Sequence, residues 1–248
     1  MTQVIGHRGA SRAERENTLA AFRAAGAQGA DGVELDVRRT VDGALAVHHD
    51  AHLPDGRAIV ATTWADMPEH VPDLAAALDA CAGLGTVNVE LKNWPGDVDF
   101  DPTLAIVDPL VDALLSRSAT ERAALLVSCF HLPSVDRVRA LAPELATGWL
   151  VIGPGIGPDG ASAATEGGDV LGATIAAVAD RGHRALHPHH AFVNPELVDA
   201  AHTAGVAVNA WTADDPERIV WLADTGVDAV ITNVPDVALA ALGRTPTI

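Results

Sequence analysis

Short runs rich in Val, Ile and Leu alternate along this chain with Ala-rich helical patterns, almost from the first residue to the last. That alternation restricts the fold more than any other feature, because it is the pattern of repeated βαβ units and a parallel sheet. Strands are expected at 3–6, 32–38, 44–48, 86–91, 124–129, 146–152, 184–187, 206–211 and 228–232. Helices are expected at 17–28, 73–82, 102–117, 133–141, 169–181, 195–204, 215–225 and 235–242, with Asn17 capping the first and Pro195 and Pro216 in first-turn positions.

Nine strands are one too many for an eight-stranded barrel. The second and third resolve the excess: only a few residues separate them, with Asp42-Gly43 between. A parallel crossover needs a dozen or more residues, whereas Asp-Gly marks a hairpin. The third strand is therefore expected to return antiparallel, outside the barrel. A turn centred on 42–43 brings Asp36 opposite His49. The expected fold class is α/β, a distorted (β/α)8 TIM barrel with an accessory β-hairpin and a short lid segment. One domain over 1–248 is expected, with 50–72 as the lid or insertion; barrels of roughly 250 residues commonly form one domain. The Gly/Ala/Pro-rich stretch 153–168 reads as a mobile loop over the C-terminal face.

Barrel chemistry gathers where the strands end. The first strand end supplies His7 and Arg8, and the second carries Glu34 and Asp36 on one face. The hairpin return ends in His49-Asp50, and the next barrel strand ends in Glu90 and Lys92. Later ends supply Ser128, Phe130, His187, Trp211 and Asn233. Three carboxylates suit Mg2+ or Ca2+, two histidines suit an acid–base pair, and Arg and Lys suit phosphate oxygens. Together they describe metal-assisted phosphodiester hydrolysis. Lys92 is the only lysine in the chain. Either its compact ammonium does what a flat guanidinium cannot, or a genome biased toward G and C simply left few lysines.

The formal net charge of −17 disfavours nucleic acid and anionic membrane surfaces, and there is no basic run. Cys81 and Cys129 are too few for a disulfide framework or a cysteine zinc site and read as buried thiols. No run approaches the ~20 apolar residues of a membrane span. Nothing at the start resembles a signal peptide, so the chain reads as soluble and cytoplasmic.

In order along the chain stand His7-Arg8-Gly9, Glu16-Asn17-Thr18, Asp31-Gly32-Val33-Glu34-Leu35-Asp36, Asp42-Gly43, His49-Asp50 and Glu90-Leu91-Lys92. Ala210-Trp211-Thr212 and Gly226-Val227-Asp228-Ala229-Val230-Ile231-Thr232-Asn233 complete the series. The set resembles the glycerophosphodiester phosphodiesterase family over nearly the whole chain. The resemblance implies a distorted (β/α)8 barrel and a diesterase using one divalent cation, Mg2+ or Ca2+, on a small-molecule phosphodiester. It implies His7 and His49 as the acid–base pair, Glu34, Asp36 and Glu90 as metal ligands, and Arg8 and Lys92 at the phosphate. Phe130, His187 and Trp211 are the further candidates for substrate contact.

The chain departs from the family pattern after His49-Asp50. A Leu, an Arg and two Thr usually follow; here Leu53 precedes Pro54-Asp55-Gly56-Arg57, and Thr62-Thr63 come late. Two other readings remain open at this point. A phospholipase D-like or cyclising lipid phosphodiesterase on the same scaffold would need an apolar membrane-facing lid, for which 50–72 offers only Leu53, Ile59, Val60, Trp64 and Met67 scattered among charges. A non-catalytic barrel would bind phosphate or a polyol.

Overall fold

The computed structural model describes residues 1–153 and 169–244. The sheet strands are β1 (Gln3–Gly6), β2 (Gly32–Arg39), β3 (Leu45–Val47), β4 (Thr86–Leu91), β5 (Leu125–Cys129), β6 (Ala146–Val151), β7 (Ala185–Pro188), β8 (Ala207–Ala210) and β9 (Ala229–Thr232). Neighbours run β1-β9-β8-β7-β6-β5-β4-β2, and β1 pairs with β2 to close the ring. All eight pairings around the ring are parallel. The expected (β/α)8 barrel is therefore the fold. Of the stretch expected to be a mobile loop, residues 154–168 lie outside the described part of the chain.

The helices are α1 (Leu19–Ala27), α2 (Leu74–Ala80), α3 (Val107–Leu115), α4 (Ala119–Ala124), α5 (Leu132–Leu141), α6 (Val170–Ala179), α7 (Pro195–Thr203), α8 (Pro216–Thr225) and α9 (Pro235–Ala241). Their apolar faces meet the outer faces of the strands in two large clusters. One joins β2, β4 and β5 to α1, α2, α3 and α5, and the other joins β6, β7 and β8 to α6 and α7. Leu132 packs against both. The main core is thus a ring around the barrel, and inside it a small apolar cluster of Ile5, Ala229 and Ile231 sits with buried polar groups such as Asn88 and Ser128. Both cysteines are buried free thiols pushed up to about 12, Cys81 by burial and Cys129 chiefly so. No described helix is long and apolar enough to cross a membrane.

Four local expectations need correction. The first helix is capped by Thr18, whose hydroxyl accepts from the Ala21 amide at 3.2 Å, and not by Asn17. The helix expected from 102 begins at Val107, because the Asp101 carboxylate captures the Thr103 and Ala105 amides and Leu104 is left-handed, with φ 62°. A separate helix, α4, follows it, started by a reciprocal Ser118–Glu121 capping box.

The fourth concerns the hairpin. β3 does pair antiparallel with β2 outside the ring, but in the register Val37↔Val47 and Arg38↔Ala46. His48, not His49, therefore lies opposite Asp36, and the His48 amide donates to the Asp36 carbonyl at 3.0 Å. The loop has three residues rather than two. The Gly43 amide reaches the Thr40 carbonyl at 3.0 Å, the Thr40 amide reaches the Ala44 carbonyl at 2.9 Å, and Gly43 adopts φ +90°. A type I turn followed by a left-handed glycine shifts the pairing by one residue.

The segment 50–72 contains two 3-10 turns, Ile59–Ala61 and Trp64–Asp66. Its Leu53, Ile59 and Val71 pack with Ala46 of β3 in a small cluster of their own.

Candidate active site

The barrel rim at the strand ends gathers the charged candidates. Glu34, Asp36 and Glu90 each offer an oxygen, and these oxygens lie within 4.8 Å of one another. All three residues are buried, Asp36 completely. Strand pairing sets this up: Asp36 stands beside Glu90 in the β2–β4 ladder, and Glu34 precedes Asp36 by two on the same face.

Two backbone positions carry the left-handed strain that functional sites commonly hold. Arg8 has φ 57° and Asn17 has φ 55°. Both serve the carboxylates. The Arg8 amide donates to Glu34 Oε2 at 2.8 Å, and Arg8 Nε lies 3.4 Å from Asp36 Oδ2. Asn17 grips Asp36 twice: Nδ2 donates to the carboxylate at 2.7 Å, and Oδ1 accepts from the Asp36 amide at 3.2 Å. Gly9 follows Arg8 at φ +82°, where a Cβ would sit 2.5 Å from the Ala21 carbonyl carbon. Only glycine lets this turn lie against α1.

Lys92 Nζ bridges two of the carboxylates, at 2.7 Å from Glu90 Oε1 and 3.2 Å from Asp36 Oδ1. Burial would lower the Lys92 ammonium, but Glu90 and Asp36 hold it above its usual range. Burial also acts to raise Asp36, yet Lys92, His49 and Arg8 hold that carboxyl well below the ordinary range. Glu34 goes the other way, pushed well above its usual value by burial and then by Asp36 and Glu90. So close together, the carboxylates repel one another, and Glu34 is the one whose charged form is disfavoured. Glu34 Oε1 is buried without a hydrogen-bond partner. A trio of hard oxygens with one left free suits a divalent cation.

The two expected histidines have different partners. His7 Nδ1 meets Asn233 Oδ1 at 2.7 Å. The Asn233 amide nitrogen donates to Asp214 at 2.8 Å, so its oxygen is the acceptor and His7 carries its proton on Nδ1. His7 Nε2, facing Glu34 at 3.9 Å, is then free to exchange a proton. Burial and the Arg8 guanidinium push the His7 imidazole below its usual value, against the Asn233 bond. His49 Nδ1 meets Asp50 Oδ1 at 2.7 Å. His49, Glu90, Lys92, Trp94 and Phe130 line one cleft of about 230 Å3.

A sequence description of the "Glycerophosphoryl diester phosphodiesterase family" matches residues 7–237. The chain belongs to this family. It is 29% identical to the glycerophosphodiester phosphodiesterase of Caldanaerobacter subterraneus subsp. tengcongensis, with 95% of each chain covered. Among solved structures it resembles an Oleispira antarctica phosphodiesterase in complex with the product sn-glycerol-3-phosphate. The TM-score there is 0.82 at 27% identity, over 98% of this chain and 97% of that one. The glycerophosphodiester phosphodiesterase of Thermotoga maritima gives a TM-score of 0.76 at 25% identity, over 98% and 99% of the two chains.

The remaining candidates divide in this family member. Phe130 and Trp211 meet edge to face at 5.4 Å, and Trp94 adds a third ring at 4.7 Å from Phe130. His187 does not join them. It is 1% exposed inside the barrel, bonded to Asn209 at 3.0 Å, and burial lowers it to about 3. Ser128 is also buried in the interior. Sequence reasoning missed the roles of Asn17, Asn233 and Trp94. Asn17 stands in Glu16-Asn17-Thr18, but a capping preference and a reach to Asp36 look alike in sequence. Trp94 follows Lys92 by two, and its ring contact depends on the loop path.

Proposed function

We propose that this chain hydrolyses glycerophosphodiesters to sn-glycerol 3-phosphate and an alcohol, with one divalent cation, Mg2+ or Ca2+, at Glu34, Asp36 and Glu90. The observation that carries the proposal is the buried carboxylate trio with its free Glu34 oxygen, set against Arg8 and Lys92. Three carboxylates facing two fixed cations leave one excess negative charge. A divalent cation would reverse that sign and suit the site to a phosphodiester anion. When bound, the cation supplies Lewis acidity and a template for the phosphoryl group.

The protein's own groups do the rest. Lys92 and Arg8 attract the nonbridging oxygens, and Arg8 is steadied by Glu16, whose two oxygens each accept from Nη1 at 3.0 Å. One histidine takes a proton from the nucleophile and the other returns one to the leaving alcohol. The product complex of the Oleispira antarctica relative supports the glycerophosphodiester class. A soluble small substrate is favoured over a lipid because Leu53 and Ile59 turn inward, 2% and 0% exposed, and Trp64 and Met67 pack partly against them.

A panel assay tests this reading. Glycerophosphocholine, glycerophosphoethanolamine, a lysophospholipid and a diester without glycerol would be compared for release of the alcohol and the phosphomonoester each contains, sn-glycerol 3-phosphate for the first two. The glycerophosphodiesters are expected to lead in kcat/KM. A clear preference for the lysophospholipid or the glycerol-free diester would reject the substrate class.

Lys92→Arg probes the phosphate side. Lys92 Nζ sits as a point charge between Glu90 and Asp36. A guanidinium could instead form a fork on Glu90 and draw it from the cation. The expected loss is about tenfold in kcat/KM, or ~1.4 kcal/mol, with little change in Tm. Wild-type kinetics would make the lone lysine an accident of codon usage.

A further inference from the structure

Arg38 continues the inward row that begins with Glu34 and Asp36 on β2. It is among the largest fully buried side chains described, yet its head reaches the cleft lined by His49, Glu90 and Lys92. All three of its nitrogens are engaged. Nε donates to the His49 carbonyl at 2.7 Å. Nη1 donates to both Asp99 oxygens, at 2.7 and 2.6 Å, and Nη2 donates to Asp97 at 2.8 Å. A guanidinium held this way has no fork left for a phosphate.

Its partners lie on two different loops. Asp97 and Asp99 follow β4, the strand that ends in Glu90 and Lys92, while His49 follows the hairpin strand β3. Arg38 ties these loops together at the cleft. The tie matters more for His49 than for His7. The His49 side chain is 33% exposed, and its ring partner Asp50 is 73% exposed. His7, at 16% side-chain exposure, is held by Asn233, which is itself fixed by Asp214. The hairpin register also leaves His49 beyond the last ladder pair, Val37↔Val47.

We propose that Arg38 is a positioning residue for hydrolysis: its Nε bond to the His49 carbonyl, braced by Asp97 and Asp99, sets where the His49 imidazole stands. The proposal rests on the reading of His49 as one of the proton-exchanging pair. Arg is required because a lysine ammonium cannot span a carbonyl and two carboxylates in one plane.

The test is a double-mutant cycle on a glycerophosphodiester at saturating cation, using wild type, Arg38→Lys, His49→Ala and the double variant. Arg38→Lys is expected to lower kcat about 30-fold with KM within about twofold, since displacement of a catalytic group by about 1 Å can cost ~100-fold. In the His49→Ala background the same change should cost less than about threefold, because the group it positions is gone. Asp99→Asn should give a smaller loss with the same non-additivity, and it replaces Arg38→Lys in the cycle if that variant does not fold.

Full kcat in Arg38→Lys would overturn the proposal. So would an equal loss in the His49→Ala background, which would mean that Arg38 acts on the substrate or on the fold at large. A rise in KM at constant kcat would assign Arg38 to substrate binding instead. Wild-type activity in His49→Ala would remove the premise about His49, a failure distinguishable from the others because it appears without any change at Arg38.

Discussion

Replacing His7 or His49 by alanine is expected to lower kcat/KM by about 100-fold or more, the usual scale for a lost general acid or base. The two imidazoles are oriented by different partners, Asn233 at 2.7 Å for His7 and Asp50 at 2.7 Å for His49. His7 faces Glu34 and His49 acts on Asp36, and the two are proposed to work in one proton circuit. The double variant should therefore cost less than the product of the two single losses. Steady-state kinetics with circular dichroism to verify folding would measure this. Near-normal turnover in either single variant would leave that histidine with a structural role.

Glu34→Gln is expected to abolish most activity, by more than about 100-fold, while making the cation-free protein more stable at neutral pH. The first effect follows from losing an anionic ligand, since even residues that only support metal ligands commonly cost 10–100-fold. The second follows from linkage. Burial, Asp36 and Glu90 raise the Glu34 carboxyl in the folded state. Below its unfolded value near pH ~4.5 it is protonated in both states and exerts no pH dependence. As the pH rises from there toward the raised folded value, the unfolded chain releases the proton and the folded chain keeps it. Wild-type stability therefore falls across that window. Gln carries no such penalty. Urea midpoints in EDTA at pH 4 and pH 8 would test the sign: the variant should gain on wild type only at the higher pH. An equal difference at both would remove like-charge crowding as the cause.

Much of this was legible because periodicity fixes barrels well. Strand–helix alternation identified the (β/α)8 class, and a connection too short for a crossover identified the hairpin. The rule that barrel sites gather at strand ends brought out Glu34, Asp36, Glu90 and Lys92, since β-strand residues two apart share a face. What escaped depends on loop geometry. Asp42-Gly43 announced a turn, but whether its loop held two or three residues decided whether His48 or His49 faced Asp36. Asn17 reads as a helix cap, and only its left-handed backbone, φ 55°, turns its amide to Asp36. The Arg38 tie was out of reach because Asp97 and Asp99 sit in a loop without periodicity. The α4 helix is a different case: its Ser118–Glu121 capping signature stands in the sequence, but six residues are too few to show a helical period.

The central claim is that the carboxylate trio works by holding a divalent cation. Its most direct measurement is glycerophosphodiester hydrolysis by EDTA-treated protein, with Mg2+, Ca2+ and Mn2+ then added back singly. Activity is expected to fall to background in EDTA and to return with Mg2+ or Ca2+. Undiminished turnover in EDTA, after the chelator has been shown to leave the protein free of metal, would contradict it.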